Sequence, residues 1–363
     1  MASIDNARKT IDEVDKQIAE LFVKRMNAAK EVAQYKQERG LQIFDSVREQ
    51  AILARNTNYI EEEGLKTYYA QFLQSMMDIS KSYQRRLIAG TRVAYAGIPG
   101  AFANIAVRRI FPECEAVPFA SFKAAYESVV DGTCDVAVLP IENSSAGEVG
   151  QVIDLMFSGG LYVNGVYSLP VIQNLLGVEG STADDIKTVI SHPQALEQCA
   201  KYINENGFEV IQSSNTAIAA REVAEKGDKS VAAIASTETA ELYGLKVIDR
   251  QINEGRENTT RFAVFSTAQE KPVKTEFGTS ILMFTVLDEA GSLAKAIKAL
   301  GDHGYNMRVL RSRPLKDLSW HYYFYAEAEG HISDENSKEL IDALAENCKH
   351  FKIVGTFGPD VQL

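Results

Sequence analysis

The first ninety residues contain no proline, and they carry one apolar stripe of unusual length. Ile4, Ile11, Val14, Ile18, Leu21, Phe22, Ala28, Ala29 and Val32 recur at helical spacing. That pattern predicts a first helix of about 35 residues, about 50 Å long at 1.5 Å per residue. So long a helix needs a partner, in a coiled coil or a bundle. Asp45 to Glu62 and Leu65 to Arg86 read as two further helices, with breaks near Gly40 and Gly64. The opening is therefore an all-α bundle.

Extended through the first helix, the stripe passes Arg8, Arg25 and Lys36. A cation on a buried stripe is costly unless an anion pairs with it. Two readings stay open: an anion site, or stems that pack while the charged heads reach water. Arg25 and Lys36 lie about 16 Å apart along the axis and can converge on one small dianion, whereas Arg8 lies about 25 Å from Arg25. An antiparallel helix from a second chain would bring Arg8 to them, which predicts a two-fold homodimer, or a higher oligomer, with shared sites.

The chain has 363 residues, which implies two or three domains. No run is apolar enough to span a membrane and no leader pattern opens the chain, so a cytoplasmic protein is expected. Cys114, Cys134, Cys199 and Cys348 are scattered, which supports neither a zinc site nor a disulfide framework. The net charge is −11: residues 1–90 are balanced at 14 basic against 13 acidic, and the rest holds 24 against 36. An acidic chain without a basic patch argues against a nucleic-acid partner.

From about residue 91 to 270 short apolar segments alternate with helical ones, an α/β pattern with mostly parallel strands. Two similar halves are expected, about 92–168 and 169–250, with 251–270 returning to the first. "VLPIENSSAGEVG" (Val138 to Gly150) is a strand running into a polar, Gly-bearing loop. "ISHPQALEQC" (Ile190 to Cys199) is strand, turn and helix. "ENTTRFAVF" sets Thr260 and Arg261 where a buried strand meets its loop. In open α/β sheets such strand ends bind ligands. Taken singly, each is equally a solvated turn or an ordinary strand end. Residues 277–363 read as strand, helix, strand, strand, helix, strand, a ferredoxin-like α+β unit.

These motifs carry a resemblance. In order, Arg8, Arg25, Lys36, Asp45, Arg48 and Glu49 of "FDSVREQ", then Ser80 and Gln84, resemble the polar residues of AroQ-type chorismate mutases over about ninety residues. The resemblance implies a Claisen rearrangement of chorismate to prephenate, a pericyclic step needing no acid, base or metal. Charge growing on the breaking ether oxygen is met by donors. It puts Lys36 and Gln84 at that oxygen. Arg25, Arg48 and the partner chain's Arg8 take the carboxylates, and Glu49, with the region of Asp45, takes the substrate hydroxyl.

The middle resembles prephenate dehydratases through "AYAGIPGAFA" (Ala94 to Ala103), the Pro-Ile-Glu-Asn loop, the Ser-His-Pro-Gln turn and the Thr-Arg-Phe strand. The resemblance implies two α/β subdomains, like periplasmic binding proteins, with prephenate in the cleft. Prephenate loses hydroxide and CO2 together and becomes aromatic phenylpyruvate. It points to Thr260 as hydrogen-bond donor to the departing hydroxyl. Asn143, Ser144, Gln194 and Asn258 are candidate contacts. Arg261 either binds a carboxylate or is structural, and Glu142 either tunes the site or holds the loop.

Residues 277–363 resemble the ACT domain that ends many prephenate dehydratases. "GSL" (Gly291, Ser292, Leu293) opens its first helix, and "NMRVLRSRP" holds Asn306, Met307, Arg311, Ser312, Arg313 and Pro314, with Trp320, Tyr323 and "EGH" beyond. This implies an L-phenylalanine sensor. Ser292 stands where the family usually has Ala, and Arg311 where it usually has Glu, which puts ligand, affinity or coupling in question. The whole reads as a bifunctional enzyme without cofactor or metal. Arogenate dehydration, or a non-catalytic amino-acid-responsive binding protein, are the alternatives.

Overall fold

The computed structural model describes residues 4–39, 46–255, 258–270, 278–315, 321–332 and 337–363. Two compact units divide it: Met1–Arg92 with Glu113–Glu115, and Val93–Pro112 with Ala116–Leu363.

The first unit is helical, as the periodicity predicts: α1 (Ile4–Glu38, 35 residues), α2 (Ser46–Asn56) and α3 (Glu63–Ala89). Ala29 and Ala33 of α1 are buried, as are Leu73, Met77, Ser80 and Gln84 of α3. Small side chains on α1 thus admit α3 closely. The rest of the α1 stripe is uncovered: Ile4 is 65%, Ile11 58% and Leu21 62% exposed. The second predicted helix ends at Asn56 and tightens into a 3₁₀ turn, Thr57–Tyr59, where the Thr57 hydroxyl donates to the Leu53 carbonyl at 2.8 Å. Asp45 lies outside the described residues.

The second unit begins with β1 (Arg92–Ala96), α4 (Phe102–Ile110), β2 (Glu115–Phe119), α5 (Phe122–Val130), β3 (Val136–Asn143), β4 (Gly147–Glu148), α6 (Gly150–Ser158) and β5 (Tyr162–Pro170). Next come β6 (Asn174–Gly177), β7 (Thr188–Ser191), α7 (Pro193–Gln198), α8 (Ala200–Asn206), β8 (Glu209–Gln212), α9 (Thr216–Lys226), β9 (Val231–Ala235), α10 (Thr237–Tyr243) and β10 (Lys246–Asp249). The last stretch is β11 (Thr259–Ser266), β12 (Thr279–Val286), α11 (Ser292–Asp302), β13 (Met307–Pro314), β14 (Tyr322–Glu329), α12 (Lys338–Asn347), β15 (Cys348–Phe357) and β16 (Val361–Gln362). Trp320 falls outside the described residues.

Three sheets result, ordered β16-β5-β11-β3-β1-β2 with β4 beside β3, β10-β6-β9-β7-β8, and β13-β14-β12-β15. The expectation of mostly parallel strands needs correction. β1 and β3 run parallel, but β11 is inserted antiparallel between β3 and β5. Likewise β7, β8 and β9 run parallel while β6 pairs antiparallel with β9 and β10. Parallel neighbours need a crossover, usually a helix. β6 and β11 are the strands that arrive directly from the other sheet, with no helix between, so each enters from the opposite end.

The third sheet has the ferredoxin-like order, and both its faces are buried. Leu282 and Phe284 point into a core with α11 and α12. Their alternates Ile281 and Met283 join one core with α5, α6 and the first sheet. Phe157 of α6 stacks on Tyr323 of β14 at 4.2 Å between centroids. At Gly355 a Cβ would sit 2.1 Å from the Val163 carbonyl oxygen, so only glycine lets β15 lie this close to β5. Beyond β15 the chain crosses back, and Val361 pairs with Tyr167 of β5.

Candidate functional sites

In the helical unit Arg25 and Ser80 meet, as their shared motif implies: an Arg25 N–H bonds the Ser80 hydroxyl and reaches the Met76 carbonyl at 3.3 Å. Burial pushes the Arg25 guanidinium below its ordinary value. Gln84 is buried, and its Oε1 has no partner among the described residues. Lys36 is half-buried on α1, while Arg8 and Arg48 are exposed. Glu49 is bound to Lys81, 3.0 Å from Oε1 and 3.1 Å from Oε2. Burial works against the Lys81 charge, but its bonds to Asp78 and Glu49 outweigh it and hold the ammonium above its ordinary value. Sequence reasoning missed Lys81, which is one residue past Ser80 in an ordinary helical run.

In the second unit a cavity of about 390 Å³ opens between the first two sheets. Thr260 and Asn143 line it on one side, and His192, Gln194 and Gln198 on the other. Their placement follows from register. Thr260 pairs with Asn143 across the β11–β3 ladder, so both side chains share one face. Asn143 Nδ2 donates to Thr260 Oγ1 at 2.9 Å and to Asn258 Oδ1 at 2.8 Å. Its Oδ1 accepts from the backbone N–H groups of Ser145 and Ala146 at 3.0 and 2.9 Å. Those two donors fix the amide's orientation. Thr260 Oγ1 is therefore an acceptor toward Asn143, and its own O–H is left to donate into the cavity.

Asn258 Nδ2 donates to Gln198 Oε1 at 2.9 Å, which extends the chain of amides from Thr260 to α7. Gln198 is four residues past Gln194 and so on the same helix face, a signal available in the sequence and not used. His192 caps α7, accepting the Gln194 N–H at Nδ1 at 3.3 Å. Gln173, also unforeseen, is 2% exposed in the cavity wall, and its Oε1 has no partner among the described residues. No Lys or Arg is among the described residues that line the cavity.

Four of the candidate site residues, Ser144, Asn258, Arg261 and Glu142, are absent from that described lining. Ser144 pins the loop to β11, its hydroxyl accepting from Thr259 N–H at 3.0 Å. Asn258 lies behind Asn143 as a support. Arg261 and Glu142 are the adjacent ladder pair, and alternation turns them to the other face of the sheet. There Arg261 bonds Glu142 at 3.1 Å, Glu327 at 2.9 Å and Asp360 at 2.7 Å. Burial opposes its charge, but Glu327 and Asp360 hold it well above its ordinary value. Burial would raise Glu142, yet Arg311 and Arg261 bring it below its ordinary value.

The residues expected to sense a ligand are divided. Gly291 caps α11 with φ +86°, Ser292 is buried, and Leu293 packs on the helix-side core. Asn306 donates to Glu329 at 2.6 Å, and Met307 packs on the same core. Along β13, Ser312 and Pro314 face outward. Arg311 and Arg313 face inward: Arg311 pairs with Glu142, and Arg313 pairs with Glu148 and, at 3.0 Å, with Asp154.

A family description for prephenate dehydratase matches residues 93–270, and one for chorismate mutase type II matches residues 7–85. The bifunctional chorismate mutase/prephenate dehydratase of Enterobacter agglomerans is 30% identical over 371 residues, covering 96% of this chain and 94% of its own. Arogenate dehydratase/prephenate dehydratase 1 of Arabidopsis thaliana is 34% identical over 289 residues, covering 74% of this chain and 72% of its own. The solved prephenate dehydratase of Arthrobacter aurescens, in complex with L-Phe, superposes with a TM-score of 0.68 at 25% identity, covering 74% of this chain and 90% of that one. By its two matched segments and its nearly full-length relative, the chain belongs to the family of bifunctional chorismate mutase/prephenate dehydratases.

Proposed function

We propose that the chain converts chorismate to prephenate in the helical unit, and prephenate to phenylpyruvate in the cavity beside Thr260, as two steps of phenylalanine biosynthesis. One observation supports the second step: Asn143 donates to the Thr260 oxygen, which leaves the Thr260 O–H available as a donor to a ligand. In the reaction the ring C–OH bond and the bond to the ring carboxylate break together. The electron pair of the carboxylate bond enters the ring and aromatises it as CO2 leaves, and the pair of the C–OH bond departs with hydroxide. Thr260 hydrogen-bonds the departing oxygen, and the Asn143 N–H strengthens as charge gathers on Oγ1. No proton need be lost from Thr260 for this, which suits a hydroxyl of high pKa. Gln194, with Gln198, lines the opposite wall.

In the mutase step Lys36 and Gln84 act at the ether oxygen, Arg25 and Arg48 hold carboxylates, and Glu49 meets the hydroxyl. Arg8 comes from a partner chain, since the uncovered stripe of α1 needs a second copy against it. Residues 1–90 form the mutase, 91–270 the dehydratase, and 277–363 an ACT domain through which L-phenylalanine inhibits, as the phenylalanine-bound relative supports. No helix among the described residues is long and apolar enough to cross a membrane, in keeping with a cytoplasmic enzyme. A name shared with arogenate enzymes keeps arogenate as a second substrate to test. The deciding experiment is a chorismate time course with prephenate and phenylpyruvate both quantified, with and without phenylalanine. Phenylpyruvate formation, suppressed by phenylalanine, is expected. Prephenate accumulating alone would sink the dehydratase assignment unless arogenate is consumed instead.

A further inference from the structure

We propose that Arg261 is a positioning residue for the dehydration, held in place by two carboxylates from outside the dehydratase segment. A guanidinium has five N–H donors, and here all five are taken. Nε donates to Asp360 at 2.7 Å, Nη1 to Glu142 at 3.1 Å and Glu327 at 2.9 Å, and Nη2 to Glu327 at 3.0 Å and Asp360 at 3.3 Å. None is left for a substrate carboxylate.

The position of this clamp gives it its role. The Arg261–Glu142 pair is the rung next to Thr260–Asn143, and directly beyond it the register shifts, with Phe262 opposite Pro140. A one-residue slip would carry Thr260 to the wrong face of the sheet, and at such an irregularity the ladder hydrogen bonds are locally disrupted. Arg261 pins it from behind. Glu327 is itself fixed: it is 5% exposed and accepts from the Tyr325 hydroxyl at 2.6 Å. Arg311 grips Glu142 from β13. The dehydratase match ends at residue 270, yet Glu327 and Asp360 both lie beyond it. The third sheet and the segment leading to β16 therefore complete the scaffold of the Thr260 site.

The proposal rests on Thr260 as the donor, and the test separates the two ideas. Initial rates on prephenate would be measured for the full chain and for Arg261→Met, Arg261→Lys, Asp360→Asn and Thr260→Ala, each checked by thermal melting. Arg261→Met is expected to lower kcat about 100-fold, the scale of an ångström-level misplacement, with KM unchanged. Arg261→Lys should recover part of the loss. Should Arg261→Met fail to fold, Asp360→Asn decides, its carboxylate being partly exposed: lowered kcat at constant KM supports the proposal, and unchanged kcat overturns it. A raised KM at full kcat in Arg261→Met would make Arg261 a substrate ligand and also overturn it. Thr260→Ala at wild-type turnover would instead remove the donor reading, whatever Arg261 does.

Discussion

Arg25 in the helical unit meets a serine hydroxyl and a backbone carbonyl, on a helix whose apolar stripe is largely uncovered. Thr260 in the α/β unit sits in a cavity walled by amides, with every support drawn from its own chain. The first arrangement is cationic, beside an apolar stripe that the described residues leave exposed. The second has amides, hydroxyls and one carboxylate, Glu148, in its described lining, and no Lys or Arg. The difference follows the chemistry. A pericyclic rearrangement offers the protein nothing to do but hold a dianion and answer charge on one oxygen, for which cations serve. A dehydration driven by aromatisation needs one well-aimed donor, for which a pinned hydroxyl serves.

The comparison can be broken at its strongest point by Thr260→Ala. Loss of the donor should reduce dehydratase turnover by about 10²–10⁴-fold and leave the mutase rate untouched. The mirror experiment, Lys36→Ala or Gln84→Ala, should cost the mutase about 10²–10³-fold, as loss of one transition-state donor does, with prephenate turnover unchanged. A chain mixture sharpens it further. Arg8→Ala and Arg25→Ala are each expected to lose mutase activity, and if sites are shared between chains one intact site per mixed dimer should restore some of it. Silence in verified mixed dimers would make the helical site complete in a single chain.

Smaller effects separate the two sites by charge alone. Raising ionic strength screens exposed cations, so KM for chorismate should climb, whereas KM for prephenate should stay nearly flat. An equal climb would place an unseen cation at the dehydratase cavity. The smallest effect concerns acid. Glu142 is held below its ordinary value of 4.5, against its burial, by Arg311 and Arg261. Its contribution to stability is thus fully present above about pH 4.5 and is lost as pH falls through the lower folded value. Melting curves of Glu142→Gln should lack that acid-side component, and identical pH profiles would contradict it.

Much of this was written in patterns that survive without neighbours. A helical stripe of 35 residues and a strand–helix order of ferredoxin type are local periodicities, and both appear at nearly the expected places. Thr260 and Asn143 were nameable by motif. Their contact was not, because it depends on a ladder between strands more than a hundred residues apart. The same ladder turned Arg261 and Glu142 away from the cavity, in line with the structural one of the two readings left open for each. Alternation along a strand makes adjacent residues strangers. The direction reversal of β6 and β11 escaped as well, since an apolar run reads alike in either direction.

The short strand β16 has a consequence for anyone dividing the chain. It lies along the outer side of β5, whose unpaired N–H and C=O groups would otherwise form an open border. An open border of that kind recruits strands from other molecules. A fragment cut at residue 270, where the dehydratase match stops, would uncover both that border and the apolar surface now under Ile281 and Met283. Such a fragment is expected to self-associate, and the two residues Val361 and Gln362 serve as a guard against it.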